Sequence, residues 1–187
     1  RADWSGLSLA VGLALAEALD PVQEAAAPRV GLKWPNDLWL LDAPHAGRKL
    51  GGVLIETVAA GAKRLAVIGV GLNVQPMQAT EVGTGFACLQ EIDAQVEAPA
   101  VLHRLALPLV QAIRRFEAEG FAGFVAAYSR RDLLLGQPVR TTQQGVAEGV
   151  AEGVDERGAL QVRTPVGLVA VTSGEVSVRL GADGGAG

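Results

Sequence analysis

Apolar residues fall along this chain in three successive patterns. From Ser5 to Leu19 they occupy almost every position, which predicts a helix buried on most faces and ended by Asp20-Pro21. From Val30 to Val70 they form short β-type runs: Val30–Lys33, Leu38–Leu41, Lys49–Val58 and Arg64–Val70. Trp34-Pro35-Asn36-Asp37, the turn Asp42–Gly47 and the turn Ala59–Lys63 separate them. Alternation within these runs is weak, which predicts strands covered on both faces. Gln75–Thr84 has no period and reads as a loop, followed by a short helix over Thr84–Ile92. Ala98–Glu119 carries the stripe Val101, Leu102, Leu105, Leu109, Val110, Ile113 and Phe116 of an amphipathic helix. Pro99 suits its start, Pro108 should kink it and Gly120 should end it. Phe121–Asp132 reads as one more helix.

From Gly136 onward the helical period disappears. Pro138–Thr142, Val146–Val154, Ala159–Arg163, Leu168–Val171 and Glu175–Leu180 are short β-type runs. The turns between them are Gln143-Gln-Gly145, Asp155-Glu-Arg-Gly158, Pro165-Val-Gly167 and Ser173-Gly174. Five short strands in so few residues predict a small barrel of the SH3 kind. Gly181–Gly187 reads as a disordered tail. The fold class is therefore α+β, with a domain over 1–134, a small β domain over 135–180 and the tail over 181–187.

Composition narrows the class. The 187 residues are 49% hydrophobic but only 4% aromatic, so the core has to be built from aliphatic side chains. A net charge of −4 gives no basic footprint for nucleic acid. Cys88 is the one cysteine, so no internal disulfide can form and a reducing, cytoplasmic setting is the simplest reading. The apolar run Leu7–Leu19 is too short to span a bilayer, carries Glu17 and lacks the basic flank of a signal peptide, so no membrane association is expected.

Candidate chemistry concentrates between Arg29 and Asn73. Two of the three lysines, Lys33 and Lys49, lie beside strand ends there, and a lysine ammonium is a compact charge for phosphate or carboxylate. Pro35 bends the chain at Asn36 and Asp37; the carboxylate could hold a metal ion or accept from a ligand N–H, and the amide can donate and accept. Gly51 and Gly52 sit inside a strand, where glycine marks close approach of a ligand or of another backbone. Gly69-Val-Gly71 repeats that signal, yet without the third glycine and following helix of a dinucleotide fingerprint. These pieces predict a nucleotide or carboxylate pocket at a sheet edge. His45, His103 and Cys88 have no partner pattern and read as structural.

Lys33-Trp-Pro-Asn-Asp37, then Arg48-Lys-Leu-Gly-Gly-Val-Leu-Ile-Glu56, then Gly69-Val-Gly-Leu-Asn73, in this order and at these spacings, resemble the biotin protein ligases. Cys88-Leu-Gln-Glu91, Gly158-Ala-Leu160 and Ser173-Gly-Glu-Val-Ser-Val-Arg179 extend the resemblance over essentially the whole chain. It implies a mixed-sheet catalytic domain related to class II aminoacyl-tRNA synthetases, followed by an SH3-like domain. It implies ATP, biotin and Mg²⁺ as reactants and cofactor, formation of biotinyl-5′-adenylate, and transfer of biotin to a lysine of a biotin carboxyl carrier protein. It leaves a homodimer open. By the same resemblance Lys49 is the active-site lysine, near the biotin carboxylate and the α-phosphate. Asn36 and Asp37 match the family's Asn-Asp pair, with Asp37 serving either Mg²⁺ and phosphate or the acceptor lysine. Gly51, Gly52 and Leu54, with Lys49, match the biotin strand. Lys33, Asn36, Gly69, Gly71, Asn73 and Phe86 match the nucleotide side, Phe86 standing where some relatives have tryptophan.

Two departures accompany the resemblance. A basic glycine-rich loop of the Gly-Arg-Gly-Arg type and a Ser/Thr-containing biotin segment, both upstream in the family, have no counterpart after Arg1, nor has a winged helix-turn-helix. The expectation is that this polypeptide is an N-terminally incomplete ligase and a poor catalyst by itself. Two other readings stay open on the sequence: a lipoate-attaching ligase of the same fold, and a biotin-binding module without catalysis.

Overall fold

The computed structural model describes residues 4–21, 26–61, 63–76, 85–141, 148–172 and 178–180. The turn at 143–145, the segment 173–177 and the tail 181–187 lie outside the described residues, as does most of the loop 75–84.

Helix α1 (Leu7–Leu19) is buried along most of its length, as its unbroken apolar sequence requires. Gly6 starts it at φ +80°, and a Cβ there would lie 2.7 Å from the Phe121 side chain. Four strands follow: β1 (Val30–Lys33), β2 (Asp37–Ala43), β3 (Ala46–Ala60) and β4 (Lys63–Leu72). They pair antiparallel in the order β1-β2-β3-β4. The mixed sheet expected above is thus antiparallel through its four described strands; two isolated bridges, Leu32 with Asp132 and Lys49 with Phe86, are its parallel contacts.

α1 packs on one face of this sheet, against Leu32, Leu38, Leu50 and Val53. The opposite face is open along the outer parts of β3 and β4, while Trp39 on β2 is buried. Leu54, Val58, Leu65 and Val67 are all exposed. This corrects the expectation of strands covered on both sides. Weak alternation here reflects apolar residues on an open face, a pattern that periodicity cannot separate from double coverage.

The expected helix over Thr84–Ile92 is a single 3₁₀ turn at Leu89–Glu91, with Thr84 outside the described residues. α2 (Ala98–Glu119) runs through Pro108 without interruption. The helix expected over Phe121–Asp132 is shorter: a 3₁₀ turn at Ala122–Phe124 leads into α3 (Val125–Ser129). Arg130–Leu133 leaves the helix and runs beside β1, with the Leu32 N–H donating to the Arg131 carbonyl at 2.7 Å.

The remaining strands are β5 (Pro138–Thr141), β6 (Glu148–Val154), β7 (Leu160–Thr164), β8 (Gly167–Val171) and β9 (Val178–Leu180). They form an antiparallel sheet in the order β8-β7-β6-β5-β9. One apolar core runs from α1 through the first sheet to Val139, Ala151, Leu160 and Val162 of the second. The join is specific. Trp34 Nε1 donates to the Gly158 carbonyl at 3.0 Å, and a Cβ on Gly158 would lie 2.7 Å from Gly6 Cα. Arg131 is buried at the opposite end of α1, with Nη1 3.0 Å from Asp20 Oδ2 and 2.8 Å from the Val30 carbonyl.

Candidate active site

The site grows out of an irregularity in pairing. Along β2 and β3, Asp37 faces Gly52 and Leu38 faces Gly51, but Trp39 faces Lys49. One residue of β3, Leu50, is therefore extra and goes into the core, fully buried. In a regular strand Lys49, three residues before Gly52, would point to the opposite face. The bulge turns it onto the face of Asp37. Lys49 Nζ lies 2.7 Å from Asp37 Oδ1. A Cβ built on Gly52 would meet Asp37 Oδ1 at 3.0 Å and Lys49 Nζ at 3.8 Å, so the bare backbone of Gly52 borders this ion pair.

Register places more of the candidate residues on the same open face. Gly71 pairs with Gly52 and Gly69 with Leu54, giving a strip of nearly bare backbone beside the exposed Leu54 side chain. A Cβ on Gly71 would have no atom within 4 Å. Lys33 pairs with Asp37 across β1 and β2, and its ammonium lies 4.5 Å from the Trp39 ring centroid.

Other candidates have internal tasks. A Cβ on Gly51 would lie 2.3 Å from the Gly71 carbonyl oxygen, so this glycine lets β3 and β4 approach and does not face the Asp37–Lys49 pair. Asn36 spans β3 twice: its Nδ2 donates to the Val53 carbonyl at 2.9 Å, and its carbonyl accepts from the Val53 N–H at 2.8 Å. Asn73 Nδ2 donates to the carbonyls of Lys49 at 3.3 Å and Ala87 at 3.0 Å, fastening the Ala87 segment to β3. Phe86, half-buried, lines a cavity of about 180 Å³ with Asn73, Pro76, Ala87, Cys88 and Glu91.

Asp37 was also the candidate Mg²⁺ ligand. Its Oδ1 is engaged by Lys49, and among the described residues no cluster of three or more His, Cys, Asp or Glu could hold a metal. The donor set does not fit a resident ion; a divalent cation here would come with the phosphates of its ligand.

Sequence reasoning missed the charge network beside the site. Arg48 reaches Asp42 through Nε (3.0 Å) and Nη2 (2.9 Å), and Glu91 through Nη1 (3.1 Å) and Nη2 (2.7 Å). Hydrogen bonding by Arg48 lowers both carboxyl pKa values, and those two carboxylates raise that of the guanidinium. Glu91 Oε1 also accepts the Cys88 N–H at 2.9 Å, so the glutamate at the third position after Cys88 was a readable capping signal. Asp132 is buried, with Oδ1 accepting the Leu134 N–H at 2.9 Å; burial pushes its carboxyl up to about 6.

An ammonium–carboxylate pair is thus set beside bare glycine backbone on one face of the sheet. Comparison with known proteins names the class. Residues 2–73 match the Biotin/lipoate A/B protein ligase family, and residues 134–179 match the biotin protein ligase C-terminal domain. The chain is 34% identical to a biotin–[acetyl-CoA-carboxylase] ligase of Paracoccus denitrificans over 178 residues, 91% of this chain and 71% of the relative. It is 33% identical to the bifunctional ligase/repressor BirA of Salmonella typhimurium over 179 residues, covering 93% of this chain and 53% of the relative. The structure of the Aquifex aeolicus biotin protein ligase with biotin and ATP superposes with a TM-score of 0.79 at 27% identity, over 97% of this chain and 74% of that one. The chain belongs to the biotin protein ligase family. It spans about half the length of the BirA relatives it matches.

Proposed function

We propose that this protein joins biotin to a carrier-protein lysine with consumption of ATP. The observation that carries this is the Lys49–Asp37 pair at 2.7 Å beside Gly52, in a chain of this family. The biotin carboxylate and the α-phosphate are both anions, and their approach needs a fixed cation between them. Lys49 supplies it. A carboxylate oxygen attacks the α-phosphorus and diphosphate leaves, giving biotinyl-5′-AMP. The acceptor amine then attacks the acyl carbon and AMP leaves. Asp37 orients Lys49 in the first step and accepts a hydrogen bond from the incoming amine in the second. Mg²⁺ accompanies ATP as a counter-ion and neutralises phosphate charge.

Gly52 and Gly71 admit the ligand against the sheet, with Leu54 flanking its apolar part. Lys33 and the cavity beside Phe86 take the nucleotide, while Gly51, Asn36 and Asn73 hold the strands that carry the site. We assign residues 1–134 to a catalytic domain of the class II synthetase type and 135–180 to an SH3-like module, working in the cytoplasm on a biotin carboxyl carrier protein. Among the described residues β4 is the edge of its sheet, with Leu65 and Val67 exposed, and we assign a homodimer contact to it. No described helix is long and apolar enough to cross a membrane.

The test incubates the protein as its gene encodes it with biotin, ATP, Mg²⁺ and a purified carrier domain, and follows diphosphate release and streptavidin-detected transfer. ATP- and biotin-dependent labelling of the carrier lysine is expected. Labelling with lipoate in preference to biotin, or biotin binding without diphosphate release, would refute the reading.

A further inference from the structure

Arg48 stands next to the active-site lysine in sequence, yet its guanidinium points away from the Lys49–Asp37 pair. It meets two carboxylates, Asp42 on β2 and Glu91 on the 3₁₀ turn, and Nη1 donates to the Phe86 carbonyl at 3.3 Å. As successive residues of one strand, Lys49 and Arg48 serve its opposite sides. The segment that Arg48 grips is also tied to the site by the Asn73 amide, whose Nδ2 donates to the Ala87 carbonyl at 3.0 Å, and by backbone bonds. Ala87 N–H donates to the Lys49 carbonyl at 2.9 Å, and Leu89 N–H donates to the Asn73 carbonyl at 2.8 Å. Arg29 adds a bond from Nη2 to the Glu91 carbonyl at 3.1 Å. Phe86 through Glu91 forms only one 3₁₀ turn of its own, and its position is fixed by these bonds together with the burial of Ala87, Cys88 and Leu89.

We propose that Arg48 is a positioning residue for the nucleotide: it clamps Phe86–Glu91 onto β3 by bridging Asp42 and Glu91, and thereby holds the wall of the cavity formed by Phe86 and Asn73. The proposal rests on the reading of that cavity as the nucleotide side. It assigns to Arg48 no contact with phosphate. Three features require arginine here. The planar fork contacts both carboxylates through three nitrogens, which the single ammonium of lysine cannot do. Glu91 is held from two sides, by Arg48 and by the Cys88 N–H, so the clamp and the cap of the turn form one unit. The bridge also closes over a wide loop, between residues 43 positions apart.

The test uses Arg48→Met, Arg48→Lys, Glu91→Gln and the double variant Arg48→Met/Glu91→Gln, in the protein as its gene encodes it. Diphosphate release gives KM for ATP and for biotin, and hydrogen exchange reports on the Ala87 and Leu89 amides. Arg48→Met should raise the KM for ATP about tenfold with the KM for biotin within about twofold, and should speed exchange at both amides about tenfold. Arg48→Lys should not rescue. The double variant should be no worse than Arg48→Met, because both changes open one clamp. A direct phosphate contact would give the opposite set: rescue by lysine, additive effects, and Glu91→Gln neutral or favourable for ATP. That set, or unchanged amide exchange, overturns the proposal. Lys49→Ala in the same assay separates the two levels. Loss of diphosphate release there with an unchanged ATP KM in Arg48→Met sinks the positioning role alone. Undiminished release in Lys49→Ala sinks the functional reading, while amide exchange still judges the clamp.

Discussion

Replacing Gly51 and Gly52 by alanine, one at a time, should separate stability from function at adjacent positions. A Cβ on Gly51 would lie 2.3 Å from the Gly71 carbonyl oxygen, 2.8 Å from Leu72 Cδ2 and 3.2 Å from Leu72 Cα. Two of these three atoms are backbone, so no rotamer change relieves the overlap. β3 and β4 must part by roughly 1 Å, at an overpacking cost of about 1–3 kcal/mol plus about 1 kcal/mol for each ladder hydrogen bond that is lost. Gly51→Ala should therefore destabilise the fold by on the order of 3 kcal/mol, a large share of a typical domain's stability. A Cβ on Gly52 meets Asp37 Oδ1 at 3.0 Å and the Asn36 carbonyl at 3.3 Å, and a carboxylate on a short side chain can give way by the few tenths of an ångström required. Its stability cost should stay below about 1 kcal/mol. The same small displacement falls on the Lys49–Asp37 pair and on the space left for the ligand; a misplacement of about 1 Å at a reacting centre costs about a hundredfold in rate, so one of a few tenths should cost several-fold.

Urea titration by circular dichroism measures the first effect; diphosphate release and calorimetric titration with biotin measure the second. The expected result is an unstable Gly51→Ala and a stable Gly52→Ala with biotin binding weakened and adenylation several-fold slower; Gly52→Val should abolish biotin binding. Equal destabilisation by both alanines, or Gly52→Ala with parental adenylation, would refute the assignment of the two glycines to different tasks.

Lys49→Ala should lower diphosphate release at least about a hundredfold, with biotin affinity changed less, because one fixed cation is lost where charge develops. Arg131→Met should destabilise the fold by about 3 kcal/mol in denaturant titrations, since Asp20 and the Val30 carbonyl lose a buried partner. Asp132 titrates near 6 in the fold against 3.8 when unperturbed, so its protonated form is favoured by folding; its contribution is fully present below 3.8, is lost as pH rises through 6, and amounts to on the order of 2–3 kcal/mol. Asp132→Asn, which keeps an acceptor for Leu134, should accordingly gain on the parent as pH rises from 4 to 7, and a pH-independent difference in melting between the two would refute this.

Much of the fold was legible because its signals are local. The buried helix from Leu7, the amphipathic helix ending at Gly120 and the short strands after Gly136 each follow from a few neighbouring residues. Long-range pairing was not legible. Nothing within Lys49–Val58 says that its outer half faces solvent, because exposed Leu54 and Val58 look the same in sequence as buried leucine and valine. The short helix expected near Cys88 is a single turn because its anchors, Arg48, Asn73 and Arg29, come from distant segments. Asp37 and Lys49 were both identifiable as chemistry-bearing, but their contact depends on strand register.

That register decides what the paired glycines mean. On a strict alternation Lys49 would share a face with Gly51, the glycine that turns out to admit a neighbouring strand. The extra residue Leu50 breaks the alternation and puts the lysine with Gly52 and Asp37 instead. Full burial of Leu50 anchors the irregularity, since the core holds the residue that the ladder cannot pair. A bulge fixed in this way sets the position of the ammonium through the packing of an apolar side chain on the opposite face. The site on the open face is thus held by the core beneath it, and Arg48, turned outward on the same strand, remains available to fasten the wall of the neighbouring cavity.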